Sequence, residues 1–319
     1  MNAGIAKLGH VAYRTPDLAE SRWFFSEVLG LQVVDETDVS VYLCGLRDRD
    51  HHTMSLHADA SPGVEHIAWR TMAPEHVETL GTRFEEQGRP VEWLDPGEIE
   101  SVGEAVKVWA PNGHPFVFYF DVEQPRAPPE KRSKLRNRRY SPHVANRVAP
   151  RRIDHCHVQD PNADALADWL VEEFDFRINE RFRSDDGTFW GWWMSVTALP
   201  HDIGIHRYDE ADARFHHVSY HVDQFRDLWD AADICREHGI APDGGPGKHA
   251  ITNADFFYVK DPASEIRLEL FAGPGYLNFE PDWDPIDWRR EEIGTEEDHQ
   301  WIGTQYTASG TDYVGSPDR

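Results

Sequence analysis

Apolar and polar positions alternate at four places along the chain, and each alternation opens in the same way. Leu8-Gly9-His10-Val11-Ala12-Tyr13, Val64-Glu65-His66-Ile67-Ala68-Trp69, Ile153-Asp154-His155-Cys156-His157-Val158 and Phe215-His216-His217-Val218-Ser219-Tyr220 all carry a histidine at the third place of a period-two segment. Helical apolar spacing follows over residues 21–30, 77–88, 163–174 and 225–239, three of these stretches closing on glycine. Short strands rich in Val, Phe and Tyr fill the rest, notably 105–109, 116–120, 256–259 and 266–271.

The intervals between the openings point to duplication. His10 to His66 is 56 residues and His66 to Val117 is 51, while His155 to His217 is 62 and His217 to Glu269 is 52. A period of this length describes a whole βαβββ unit repeated four times. The expected organisation is α+β: a pair of units over 1–122, a connector over 123–150, a second pair over 151–272 and a tail over 273–319.

Composition narrows the class. A chain of 319 residues is long enough for about two domains with ordinary cores, and 12% aromatic content with 12 Trp argues against disorder. No apolar run approaches the roughly 20 residues needed to cross a bilayer, and residues 1–7 are too short and polar for a signal peptide. A soluble, cytoplasmic protein with no membrane partner is expected. Cys44, Cys156 and Cys235 are few, scattered and odd in number, so no disulfide framework is expected.

The net charge of −25 reverses locally between Glu123 and Arg152, where ten Lys or Arg face two acids. This reads as a connector whose arginines pair with the acidic body or with another subunit, making a homo-oligomer the expected assembly. One basic segment on a chain that otherwise repels phosphate excludes nucleic acid as a partner. Only six of the 32 basic residues are lysine, and the acid surplus suggests solubility at high salt.

The candidate chemistry lies in the second half. His155 and His217 occupy matching places in adjacent units, and Glu269 falls on the last strand of the fourth, where the first half has Val117. A cupped sheet would bring all three inward. Two imidazoles and one carboxylate on one face of an ion form the facial triad of non-haem Fe(II) oxygenases, and the same donors also accept Mn(II) or Zn(II). His10 and His66, without a carboxylate, read as relics in a metal-free pocket. Strand alternation places His157 on the His155 face and Cys156 on the opposite one.

These residues resemble the vicinal oxygen chelate superfamily, and the second-half constellation is similar to its type I extradiol catechol dioxygenases over about residues 5–291. The resemblance implies two domains of paired βαβββ modules, with an iron site kept only in the C-terminal one. It implies a catecholic substrate, O₂ as co-substrate, Fe(II) or Mn(II) as the metal, and ring opening beside the diol to a muconic semialdehyde. His201, in Leu199-Pro200-His201-Asp202, falls where the family has its acid/base histidine. His249 and Tyr258 match the pair that hydrogen-bonds the bound catechol.

The nearest branch in appearance is that of the homoprotocatechuate 2,3-dioxygenases. Trp193 lies eight residues before His201, and residues 283–290 resemble that branch's C-terminal arginine segment, which makes Trp193 and Arg290 candidate substrate contacts. His157 stands where the branch has asparagine, and Gly244 where it has an arginine that meets the substrate carboxylate. Losing that guanidinium removes the natural bidentate partner of an acid, so a neutral catechol is expected. Glu265 competes with Glu269 by distance from Pro262, but Glu269 lies in the strand and Glu265 in the turn. Redox-neutral isomerases, thiol transferases and drug-binding proteins share the scaffold without needing His201, His249 and Tyr258. The tail, with Tyr276, Trp283, Trp288 and Trp301, is expected to fold back as a lid or against a neighbouring subunit.

Overall fold

The computed structural model describes residues 4–145, 148–208, 212–273, 275–293, 300–302 and 311–314; the side chains of 290, 293 and 300–302 are outside that description. The first half is one eight-stranded sheet built from β1 (Ile5–Thr15), β2 (Gln32–Glu36), β3 (Ser40–Cys44), β4 (Met54–Ala58), β5 (Gly63–Thr71), β6 (Val91–Leu94), β7 (Ala105–Trp109) and β8 (Pro115–Tyr119). Its strand order is β2-β3-β4-β1-β5-β8-β7-β6. The second half repeats the plan with β9 (Arg152–Asp160), β10 (Arg177–Arg183), β11 (Phe189–Ser195), β12 (Ile203–Arg207), β13 (Arg214–Val222), β14 (Pro242–His249), β15 (Asp255–Lys260) and β16 (Arg267–Ala272). These run in the order β10-β11-β12-β9-β13-β16-β15-β14. One helix follows the first strand of each unit: α1 (Leu18–Trp23), α2 (Glu75–Glu86), α3 (Ala163–Phe174) and α4 (Phe225–Glu237). The fold is thus α+β, with four βαβββ units.

Local chemistry explains the helix ends. Asp17 caps α1 by accepting from the Glu20 amide at 3.0 Å, and α4 opens on a reciprocal Gln224–Asp227 capping box. The apolar stripe of α3, including Leu166, Leu170 and Phe174, is buried, and the helix stops at Asp175 in the left-handed region (φ 58°). The expected helix over 21–30 is instead the short α1 followed by a π turn, Phe24–Val28. The Leu29 amide reaches back five residues to the Phe24 carbonyl, at 3.0 Å, and Phe24, Phe25, Val28 and Leu29 are all fully buried. An α and a π turn share the same apolar spacing over one turn, so the pattern does not separate them.

The two halves share one core. Phe118 stacks on Phe174 across the junction with ring centroids 4.9 Å apart, and Tyr13 meets Phe215 edge-on at 5.9 Å. Cys44, Cys156 and Cys235 are buried free thiols, and burial raises all three.

The connector departs from expectation. Arg151 and Arg152 reach acids, at Asp223 (2.7 Å) and Asp154 (2.6 Å). Arg132 and Arg139 donate instead to backbone carbonyls, of Ala127 and Asp50. Arg126, Lys134, Arg136 and Arg138 join Arg49 around a surface cavity of about 410 Å³, and none of the five makes an ion pair with a described acid. Arg147 lies outside the described residues.

The tail adds three strands, β17 (Ile286–Arg289), β18 (Gln300–Ile302) and β19 (Thr311–Asp312), which pair with β10, β14 and β13. Its aromatics are tied to β10: Tyr276 and Trp288 both donate to the buried Glu180, at 2.9 and 2.5 Å, and Trp283 donates to the Asn179 carbonyl at 3.0 Å. The Trp301 side chain lies outside the described residues. No described helix is long and apolar enough to cross a membrane.

Candidate metal and catechol site

Strand register builds the site. On β9, His155 and His157 face one side while Cys156 enters the core behind. His217 on β13 lies opposite His157, and two residues on, Ser219 lies opposite Glu269 of β16. In the first half Ala68, two residues after His66, lies opposite Val117. Val117 therefore holds the structural place of Glu269, which the intervals alone suggested.

His155, His217 and Glu269 are all buried and their donor atoms converge. His155 Nε2 is 2.8 Å and His217 Nε2 3.3 Å from Glu269 Oε2, and the two nitrogens are 3.4 Å apart. Neighbouring ligands of an octahedral ion with bonds of about 2.1 Å stand about 3.0 Å apart, so this N₂O face fits a divalent metal. Glu265 is in a turn at φ 60° and takes no part.

Charge is shared unevenly among the three groups. Burial opposes charge on Glu269, but His217 and His155 hold its carboxyl well below the usual range. Burial would lower His155 too, yet Glu269 and Asp154 outweigh it and push it up to about 9. His217, buried and only partly offset by Glu269, is lowered to about 4. The two imidazoles thus differ although both touch the same carboxylate, and Asp154 beside His155 is one source of that difference.

The remaining candidates surround this face. His201 precedes β12, with its ring centroid 3.8 Å from that of His155. Burial, then His155, holds it well below the ordinary imidazole range. Tyr258 on β15 lies opposite Glu269, and its hydroxyl is 3.1 Å from His249 Nε2, which is 3.4 Å from Glu269 Oε1. Gly244 on β14 lies opposite Tyr258. The His157 ring is stacked 5.2 Å from that of His217, and Trp193 on β11 meets His157 at 6.2 Å while packing on Phe182 and Ile251. The Arg290 side chain lies outside the described residues.

Four neighbours of this face stand outside the repeated pattern of the chain. Asp154 Oδ1 accepts from His155 Nδ1 at 2.9 Å, and His216 Nδ1 stands 2.6 Å from His217 Nδ1. The His206 ring lies 4.3 Å from that of His157. Gly204 makes room for His157, since a Cβ there would come within 2.1 Å of its Nδ1. Asp154 and His216 each directly precede a candidate ligand, a signal visible in the chain. Gly204 and His206 are found only through the sheet.

The first half shows the alternative outcome. His10 Nε2 and His66 Nε2 are 2.9 Å apart, packed with His52 and Tyr119 beside the buried Val117. Burial lowers His10, His52 and His66 well below their ordinary value.

Known proteins resemble the chain in both halves. The profile of the Glyoxalase/Bleomycin resistance protein/Dioxygenase superfamily matches residues 7–118 and again 152–270. The chain is 45% identical to the manganese-dependent 2,3-dihydroxybiphenyl 1,2-dioxygenase of Geobacillus genomosp. 3, over 97% of this chain and 98% of the relative. It is 33% identical to the metapyrocatechase of Geobacillus stearothermophilus, over 96% and 92%. Among solved structures, the 2,3-dioxygenase LapB from Pseudomonas sp. KL28 superposes with a TM-score of 0.82 at 27% identity, covering 91% of this chain and 99% of that one. Homoprotocatechuate 2,3-dioxygenase from Arthrobacter globiformis shares the fold, with a TM-score of 0.82 at 24% identity over 92% and 87%.

Proposed function

The chain belongs to the Glyoxalase/Bleomycin resistance protein/Dioxygenase superfamily, and on that footing we propose that it opens uncharged catechols at an iron or manganese ion held by His155, His217 and Glu269. The enzyme is an extradiol ring-cleaving dioxygenase. What supports the ligand assignment is the meeting of three buried donors within 3.4 Å of one another, from three strands. A divalent ion held by these three residues would act as a Lewis acid, lowering the pKa of the catechol hydroxyls, and would supply the chemistry with O₂. The N₂O donor set accepts Fe(II) and Mn(II) alike, and the relative named as manganese-dependent favours testing both.

The chain's own residues then divide the work. His201, kept neutral by burial, takes a proton from a catechol hydroxyl and returns it to oxygen as the ring opens. Tyr258 and His249 point their polar atoms at the same space, where they hold substrate oxygen and stabilise the charge that develops on it. His157 and Trp193 form the wall beside the ring. Burial on all sides excludes bulk water from these groups.

The substrate class follows from Gly244. Opposite Tyr258 there is no guanidinium to meet a carboxylated side arm, so catechol and its aryl derivative 2,3-dihydroxybiphenyl fit better than homoprotocatechuate. Metal-free protein reconstituted with Fe(II) or Mn(II) tests this by kcat/KM over the three compounds. The neutral pair is expected to exceed homoprotocatechuate by at least ~10-fold, since a lost charge-assisted contact is worth about 1.5–3 kcal/mol. A preference for homoprotocatechuate would overturn the substrate assignment. Assembly belongs to the same reading: Arg49 and the four connector cations without a described acid partner would meet the acidic surface of a second copy.

A further inference from the structure

Asp154 and His155 are neighbours on a strand, so alternation should send their side chains to opposite faces. They do not go there, because β9 carries a bulge at this point. Ile153 pairs with Tyr220 and Cys156 with Val218, leaving Asp154 and His155 together opposite Ser219 alone. Two residues against one re-aim the side chains, and Asp154 Oδ1 comes to 2.9 Å from His155 Nδ1. The other carboxylate oxygen lies 2.6 Å from Arg152.

The first half repeats the bulge without the carboxylate. Leu8 pairs with Trp69 and His10 with Ala68, so Gly9 is the extra residue and takes the place of Asp154. A Cβ at Gly9 would stand 2.2 Å from the Tyr119 hydroxyl, so no longer side chain fits there. The half that lost the metal carboxylate, at Val117, also lacks the acid behind its first histidine. The half that kept Glu269 has both.

We infer that Asp154 is a positioning residue for the metal: the bulge lifts its carboxylate onto the His155 face, where it holds Nδ1–H and directs Nε2 into the site, with Arg152 bracing it. Partners of this kind orient a ligating imidazole and increase its basicity, and their loss typically weakens metal affinity 10- to 100-fold. His217 has the neutral His216 behind it instead, so the two imidazoles are backed unequally. This inference rests on the metal assignment proposed above.

The test is the Mn(II) dissociation constant, measured by chelator competition, with the melting temperature of the metal-free protein as a control. Asp154→Asn keeps an acceptor without charge, and Asp154→Ala removes both. Affinity should fall about 10- to 100-fold in the order Asp, Asn, Ala, by more than the accompanying loss of metal-free melting temperature accounts for. Arg152→Gln, at a half-buried position, should fold normally and shift affinity in the same direction by less. Affinities within about twofold of the wild type in all three variants, or a loss that tracks the melting temperature, would overturn the inference. Wild-type protein that binds neither Mn(II) nor Fe(II) would overturn the metal assignment instead.

Discussion

Burial, then the adjacent His155, holds the His201 imidazole well below the ordinary value, and in the function proposed above it takes a proton from a catechol hydroxyl. His201→Phe removes that acceptor and keeps an aromatic ring against His155, leaving His155, His217 and Glu269 themselves unaltered. Its kcat should fall by about 100- to 10,000-fold while metal content stays at the wild-type level, and full turnover would remove the acid/base assignment. At this scale the chain was most readable where identity and chemistry coincide. His155, His217 and Glu269 are recognisable because repeated openings mark equivalent places, and the sheet register puts Val117 where Glu269 stands. Asp154 was in view within Ile153-Asp154-His155, but its direction depends on a bulge that no local pattern announces. Gly204 is similar: its meaning is the space it leaves for His157 on the adjacent strand.

Among the elements, α3 spans the residues that its apolar spacing indicates, because Leu166, Leu170 and Phe174 form one stripe against the shared core. The first helical stretch is less readable. Its four apolar residues satisfy an α or a π turn equally, and burial of Phe24 and Phe25 side by side accompanies the wider one. The tail strand β17 has no core-facing period, since it is held through Trp288 and Tyr276 on Glu180, a buried carboxylate about a hundred residues earlier in the chain. Polar anchoring over such a distance leaves no periodic trace. The connector misleads for a related reason: arginine composition foretells charge, whereas Arg132 and Arg139 spend their donors on backbone carbonyls.

Viewed whole, the molecule is a duplication whose halves diverged while keeping one hydrophobic core. The first half stores its histidines in a buried, neutral state, with a consequence for stability. His10, His52 and His66 are held below their ordinary value by burial, so in the folded state they stay neutral where the unfolded chain would protonate, below about pH 6.5. The unfolded state then binds more protons, and stability falls as pH drops from that point. Each histidine contributes a slope of up to about 1.4 kcal/mol per pH unit. Urea unfolding of the metal-free protein between pH 8 and 5.5 should show a steep decline below about 6.5, to which the lowered histidines of the second half add, and above about 7 a gentler slope of opposite sign from the raised His155. Stability that stays flat to pH 5.5 would show that these imidazoles titrate freely in the fold.

Ring cleavage beside the diol, at a metal held by the second half, is the reaction proposed for this chain. The most direct measurement mixes the Fe(II)- or Mn(II)-loaded enzyme with catechol without oxygen, then admits air while following oxygen uptake and absorbance together. One O₂ consumed per catechol, with a yellow muconic semialdehyde formed in step and none from a Glu269→Gln variant, is the predicted result. Catechol that binds without oxygen uptake, or a colourless product from cleavage between the hydroxyls, would contradict it.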